Sequence, residues 1–488
     1  MAVGALILEG MKKAFDYAAA PDKEKESDFV FPRDSLEEKG AIEFADAKLP
    51  IPLVQRRGFT NDASHLNRTA IYGISQPTTE DELRRALQFA RDRKLKVACA
   101  GERHSMGGQS FTHDGLVLDL RKMNRMALDK EHKTINVQSG ARWWQVQELL
   151  DKEGLSVKSM QSINIFSVGG TLSINAHGLD PMPGPIAPTV RAMRIMLGNG
   201  DVVETSPAEN AELFRHALGG YGLFGVILDA DLAVVSNEMY SRQTLYVNYT
   251  NFPALYRMNV EGNSNVGLVF GRLSVAPSSY LRETAVHIYT KVPFEGSLPP
   301  LEPPRNEALT RFIINVSKTG DTGRWLRWTL EKRIEPLIHP CATRNTAMGQ
   351  PDACQVSRNE EMYDRMAYLK NRLPDTDILQ EYFVPCGRMP EFVDHLREIV
   401  KRTGANLLNV TIRTIHKDTV TTLPYAKDDM FAFVLYFNVK FNEKENMILQ
   451  DTTVCIDRRR ALSGRNILSP LPTLLFEGAI AAGLSGDR

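Results

Sequence analysis

The sequence predicts a mixed helix-and-sheet protein of two substantial domains, and three observations predict it. Short strand patterns alternate with amphipathic helices from Ile71 to Val235. Longer alternating strand patterns with helices between them follow after Asn237. The 488 residues suffice for two or three domains of roughly 100–200 residues each. Hydrophobic residues make up 43% and charged residues 24%, the balance of an ordinary soluble protein. Lys+Arg and Asp+Glu both number 59, so charge gives no reason to expect a nucleic-acid partner or an acidic membrane surface. No apolar run approaches the ~20 residues that span a bilayer, and Ala2 to Leu8 lacks the basic region of a secretory signal. The five cysteines form no C-x-x-C pair, which argues against a disulfide framework or a structural zinc and for a reducing compartment. The expectation is a cytoplasmic protein with no metal, a periplasmic or membrane-associated placement being the alternative.

Residues 1–65 are irregular and are read as an N-terminal extension. Thr78, Thr79, Glu80, Asp81 and Glu82 then supply cap and first-turn residues for a helix carrying Leu83, Ala86, Leu87 and Ala90 at helical spacing. Lys96 to Ala100 reads as a strand running into a glycine-containing loop, Gly101 to Gly108. Gly115 to Leu120 and Thr134 to Gln138 read as strands, and Trp144 to Glu153 as a helix. Val190 to Leu197 and Val202 to Thr205 flank Gly198-Asn199-Gly200-Asp201, an Asn-Gly hairpin signal. Ala211 to Leu218 is helical and ends at Gly219-Gly220, before the apolar run Val226 to Val235. This first region, 66–237, is α+β or α/β. In the second, 238–450, strands are expected at Gln243–Val247, Gly267–Leu273, Ala285–Tyr289, Ile378–Pro385, Leu407–Ile415 and Met430–Val439. Helices are expected at Gly320–Trp328, Met362–Leu369 and Met389–Thr403. Together they suggest an antiparallel sheet with helices on one face. Pro293 to Pro304, with five of 26 prolines, reads as a linker.

Three small-residue clusters stand at strand ends of the first region: Gly101 to Gly108, Gly169 to Gly178 and Gly219 to Gly225. Glycine lets backbone N–H groups approach an anionic ligand where a Cβ would collide. None of the clusters is G-x-G-x-x-G after a first strand or G-x-x-x-x-G-K-[ST], which disfavours those two nucleotide folds. A phosphate-bearing cofactor is the expectation from spacing.

The loop Val97-Ala-Cys-Ala-Gly-Glu-Arg-His104-Ser-Met-Gly-Gly108 resembles the pyrophosphate-binding loop of the vanillyl-alcohol-oxidase type, or PCMH-type, FAD domain. The later pieces agree in order: Gly140 after a strand, Ser167-Val-Gly-Gly-Thr-Leu-Ser-Ile-Asn-Ala-His177-Gly178, and Gly219-Gly-Tyr-Gly-Leu-Phe-Gly-Val-Ile. The likeness spans roughly Ile71 to Val235 and is nearest to sugar-oxidising members: alditol and aldonolactone oxidases and decaprenylphosphoryl-ribose oxidase. It implies an α+β, two-subdomain FAD-binding domain followed by a cap domain with an antiparallel sheet covered by helices. It implies FAD held by Ala100, Gly101, Glu102, Arg103, His104, Ser105, Met106 and Gly107, by Gly169, Gly170, Ser173 and Gly178, and by Gly222, Gly225 and Val226. It also implies oxidation of a CH–OH group of a polyol, aldonolactone or related sugar by hydride transfer to flavin N5, with O₂ or another acceptor taking the electrons.

In many members a histidine at the position of His104 is bonded to the flavin 8α-methyl carbon, so the resemblance implies covalent FAD through His104. Taken alone, His104 is a loop histidine hydrogen-bonding backbone. A second, cysteinyl bond is not expected, since no cysteine lies between Cys99 and Cys341. His177 stands where sugar-oxidising members also have His-Gly and is a candidate contact to substrate or flavin, or a satisfied core histidine. On the cap strands, Glu381 and Phe383 share a face opposite Tyr382, and Thr411, Arg413 and Ile415 alternate with Ile412 and Thr414. Glu381 and Arg413 match polar site positions of the sugar-oxidising members, against the commoner fate of a charge on a solvated face. Catalytic candidates are therefore Glu381, Arg413 and His177, with Lys417, Tyr425, Lys440 and His416 weaker. After Asp451 the apolar periodicity fails, and the aromatic-rich closing segment of the family is not recognisable. Residues 451–488 are read as an atypical tail. Two alternatives follow: a non-covalent FAD dehydrogenase acting on a lipid-linked sugar, or an inactive flavin-binding protein.

Overall fold

The computed structural model describes residues 12–17, 49–294, 298, 301, 307–333, 355–363, 375–462 and 469–470. The expected helix beyond Tyr363, most of the Pro293–Pro304 linker, Cys341, Cys354 and the apolar stretch Ala2–Leu8 lie outside them.

The first sheet runs β1 (Gln55–Arg56), β4 (Gly73–Ser75), β6 (Leu116–Asp119), β5 (Val97–Ala100), with β4 and β5 both parallel to β6. Residues 49–65 are thus not an appendage, because β1 pairs with β4 and Ile51 is buried in the core of this layer. A two-stranded ladder of β2 (Phe59–Thr60) and β3 (Thr69–Ala70) adjoins it. Helix α1 (Glu80–Asp92) covers the sheet. Thr79 accepts from the Glu82 N–H as N-cap, three acidic residues occupy the first turn, and Leu83, Ala86, Leu87 and Ala90 are buried.

The second sheet runs β11 (Val202–Thr205), β10 (Val190–Met196), β12 (Val226–Ser236), β8 (Thr134–Gln138), β7 (Met126–Asp129), with β9 (Leu155–Val157) paired to the end of β12. Its core includes Trp143 and Val146 of α2 (Trp143–Asp151), Leu172 of α3 (Val168–Ser173) and Phe214 of α4 (Ala211–Ala217).

The third sheet is antiparallel with eight strands: β16 (Gln355–Ser357), β13 (Met239–Asn248), β15 (Glu283–Val292), β14 (Val266–Leu273), β18 (Asn406–Ile415), β19 (Met430–Lys440), β17 (Asp375–Pro385) and β20 (Ser469–Pro470). Helix α5 (Phe252–Asn259), helix α8 (Met389–Thr403) and helix α9 (Glu443–Leu462) share one core with Val410, Ile412, Phe431, Phe433 and Phe437. Gly404 closes α8 at φ 76, a conformation glycine adopts without a Cβ clash. The expectation of helices on one face is corrected. Helix α6 (Glu307–Ser317) and helix α7 (Asp321–Arg333) pack on the other side, Ile314 against Leu408 and Tyr436, and Trp328 against Ala276 and Ala285. Tyr436 and Ala285 have the opposite parity to Phe437 and Val286, and Leu408 reaches that side through a register irregularity between Leu407 and Asn409, so the sheet is apolar on both faces.

Helix α9 also continues past Asp451 to Leu462, where the sequence pattern suggests no helix. The signal cancels because threonines join Leu449 and Ile456 inside while other apolar residues lie outside. Thr452 and Thr453 are buried, their hydroxyls donating to the Ile448 and Leu449 carbonyls, while Met447 and Val454 are exposed. Among the described residues no helix is long and apolar enough to cross a membrane.

Candidate active site

The site starts where β5 ends. The loop from Gly101 to Gly108 is braced from below by the segment Asn61–Asn67, which sequence reasoning leaves as irregular chain. The buried Asp62 carboxylate accepts from Ser64 N at 2.9 Å, Asn67 Nδ2 at 2.7 Å and Gly108 N at 3.0 Å. Asn67 Nδ2 also donates to the Met106 carbonyl at 2.9 Å. Burial raises the Asp62 carboxyl above its ordinary range, although these hydrogen bonds oppose the shift. Arg103, at φ 57 and buried, donates to the Asn61 carbonyl at 2.9 Å. Burial, helped by the Arg121 charge, lowers its pKa to about 10. Glu102 pairs with Arg142 Nε at 2.6 Å.

Facing this loop is the start of α3, capped by Ser167. The small residues there allow close packing: Gly169 N–H donates to the Ser139 carbonyl at 2.8 Å, and a Cβ on Gly169 would lie 2.5 Å from Ser139 Cβ. A Cβ on Gly101 would lie 2.0 Å from Ser167 Oγ. Between them is a cleft. Ala100, Gly101, Glu102, Arg103, His104 and Ser105 line one side; Gly169, Gly170, Ser173, Gly222, Gly225 and Val226 line the other. Gly178 is not brought to this wall. A Cβ there would meet the Met160 carbonyl oxygen at 1.9 Å, so its smallness serves chain packing.

The cleft opens into a second chamber of about 290 Å³ beneath the third sheet. His104, Ser105, Phe166, Ile174 and Tyr221 line both spaces, while Met106 and Gly107 line the chamber alone. The His104 ring lies 4.5 Å from the Phe166 ring. The chamber collects all three catalytic candidates. His177, 4% exposed and following α3, sets its Nε2 2.7 Å from Oε1 of Glu381 on β17, whose side chain is 20% exposed. His177 Nδ1 is buried with no hydrogen-bond partner among the described residues. Phe383, on the same face of β17 as Glu381, packs its edge on the His177 ring at 5.7 Å. Burial penalises the Glu381 carboxylate, but the His177 contact and the Arg413 charge outweigh it and hold the carboxyl below its usual value. Arg413 Nη2, from β18, donates to Ser162 Oγ at 2.6 Å. Tyr425 donates to the Asn175 carbonyl at 2.8 Å, its phenol raised by burial and by the charges of Glu381 and Asp418. The rest of the lining mixes the apolar Leu66, Ile163, Ile378, Leu379, Val434 and Leu449 with the polar Asn67, Gln380, Asn446 and Gln450.

The other weak candidates lie elsewhere. Lys417 and Lys440 are exposed. His416 lines a separate outer pocket beside Cys386, 3.2 Å from Asp429. Asp62, Asn67, Ser162 and Tyr221 are the site residues that sequence reasoning misses. The first three carry no signal beyond ordinary turn chemistry, whereas Tyr221 stands inside a glycine cluster. No group of three or more metal-ligating side chains occurs among the described residues.

Residues 72–206 match the family model described as FAD binding domain. Mouse L-gulonolactone oxidase is 34% identical over 175 residues, 35% of this chain and 40% of that protein. D-arabinono-1,4-lactone oxidase of Candida glabrata is 28% identical over 165 residues, 33% of this chain and 31% of that one. The FAD-dependent monooxygenase yanF of Aspergillus niger is 26% identical over 358 residues, 69% of this chain and 56% of the relative. In each case the match spans less than two thirds of the relative's own length.

The cleft fits FAD. Its walls are backbone where a Cβ would strike Ser167 or Ser139, and the buried Ser139 hydroxyl has no hydrogen-bond partner among the described residues. Such a cradle suits a pyrophosphate, which backbone N–H groups can approach closely.

Proposed function

From the premise that this chain carries an FAD-binding domain of the PCMH type, we propose that it is an FAD-dependent oxidoreductase acting on a CH–OH group of an aldonolactone or related sugar or polyol. The cofactor region would be 66–237 and the cap 238–450. The observation that carries this reading is the His177–Glu381 pair. Its members are 204 residues apart in sequence, and it joins the cofactor side to the cap across a chamber opening off the cleft.

When bound, FAD supplies the two-electron acceptor. Glu381, ionised at neutral pH, takes the proton of the reacting hydroxyl. His177 fixes the orientation of that carboxylate through its 2.7 Å hydrogen bond. Arg413, steadied by Ser162, sets its positive charge in the chamber toward substrate oxygens. Phe383 packs behind the pair and keeps water from it. His104, at the junction of cleft and chamber, is the residue we assign to a covalent flavin bond. Cys99, Cys386 and Cys455 are free thiols, which supports a cytoplasmic location.

The test is anaerobic reduction of the bound flavin by L-gulonolactone, D-arabinono-1,4-lactone and a simple polyol. Glu381→Gln should slow reduction about 10²- to 10⁴-fold with flavin content unchanged. If none of the three reduces the wild-type flavin, the reading fails. The apolar side chains of the chamber lining, Leu66, Ile163, Leu379 and Leu449 among them, support a second reading, a substrate with a lipid tail on its sugar. That reading expects an alkyl-substituted sugar to reduce the flavin at lower concentration than the free sugar does.

A further inference from the structure

Tyr221 has no part in the chemistry assigned above, yet it stands at the centre of the site. It lines both the cleft and the chamber, at the passage between them. Its backbone is at φ 54, between Gly220 and Gly222, and its N–H donates to the Ser173 carbonyl at 2.9 Å. A left-handed bulky residue is an outlier, where a third glycine would meet no strain. An aromatic side chain there brings something that the turn itself does not require. Two tyrosines line the chamber, and they differ. Tyr425 commits its hydroxyl to the Asn175 carbonyl, whereas among the described residues no partner holds the hydroxyl of Tyr221. Burial and the Glu381 charge raise its phenol above the ordinary range, so it keeps its proton at neutral pH and has an O–H to donate.

We propose that Tyr221 is a catalytic residue, its hydroxyl donating a hydrogen bond to the oxygen of the substrate carbon that is oxidised. This rests on the function proposed above. In that reaction the hydroxyl gives its proton to Glu381 and a C=O bond replaces the C–O single bond, the hydride that leaves the carbon going to the two-electron acceptor that bound FAD would supply. Tyr221 gains and loses no proton. Its hydrogen bond strengthens as negative charge builds on the oxygen during proton loss, so it favours the transition state over the bound substrate.

Tyr221→Phe removes only the hydroxyl and retains ring and backbone. The test compares the two enzymes with whichever of L-gulonolactone and D-arabinono-1,4-lactone reduces the wild type. The expected result is a loss in kcat of roughly 10- to 100-fold, with KM, flavin content and melting temperature close to wild type. Tyr221→Gly, which relieves the backbone strain, should melt no lower than wild type and lose as much kcat. A Tyr221→Phe enzyme within about threefold of wild-type kcat overturns the assignment and leaves the proposed function standing. So does a kcat loss accompanied by lost flavin or a lowered melting temperature in Tyr221→Phe, which marks a structural residue. A wild type that neither lactone reduces overturns both.

Discussion

Gly101→Ala tests whether the cleft is where the cofactor binds. A Cβ at residue 101 would lie 2.0 Å from Ser167 Oγ and 2.8 Å from Ser167 Cβ. Non-bonded contacts settle near ~3.5 Å, so Ser167 has to recede by roughly 1.5 Å. That serine is the N-cap of α3, its Oγ accepting from Gly170 N. Losing the cap costs about 1 kcal/mol, and forcing a methyl into a packed wall about 1–3 kcal/mol more. The expected destabilisation is therefore about 2–4 kcal/mol, read by urea unfolding. The same shift carries the start of α3, with Gly169 and Gly170, out of the cleft wall. The flavin-to-protein absorbance ratio after gel filtration should fall with it. Gly222→Ala is the control: nothing lies within 4 Å of a Cβ there, and only its φ of 76 is strained. If Gly101→Ala keeps its full flavin and unfolds within about 0.5 kcal/mol of wild type, the cleft is not the cofactor site.

Acid precipitation should leave flavin fluorescence on the wild-type polypeptide, and His104→Ala should release it to the supernatant; flavin free in both sinks the covalent bond. In the cap, Glu331 on α7 pairs with Arg327 at 2.8 Å and Arg272 at 3.3 Å. Burial raises its carboxyl, but the two guanidinium charges outweigh that and lower its pKa from 4.5 to about 2. A depressed folded-state pKa contributes stability present above pH 4.5 and lost as pH falls toward 2. Glu331→Gln should therefore cost about 3 kcal/mol at neutral pH, and urea titrations should show the gap to wild type closing below pH 4.5; a gap constant with pH refutes the pairing.

Much of this architecture is legible in the chain because it rests on local patterns. Thr79 and the acidic turn after it announce α1, and the Asn-Gly turn announces the β10–β11 hairpin. Parity along β17 and β18 puts Glu381 with Phe383 and isolates Arg413 from Ile412. Patterns fail where burial and polarity disagree. Thr452 and Thr453 are buried, satisfied by their own helix and by Gln380, so α9 does not look amphipathic. The role of Asn61 to Asn67 is invisible for another reason: a run of turn-forming residues says nothing of the loop, some forty residues on, that Asp62 braces.

Glycine clusters and strand parities are legible along the chain because each depends on neighbouring residues, and the candidates His104, His177, Glu381 and Arg413 follow from the motifs that carry the family resemblance. Packing alone brings His177 to 2.7 Å from Glu381, turns His416 to an outer pocket, and leaves the Tyr221 hydroxyl without a partner among the described residues where cleft and chamber share their lining. These are meetings of segments up to 204 residues apart, governed by how three sheets pack. A local period carries which face a side chain takes, but not what faces it.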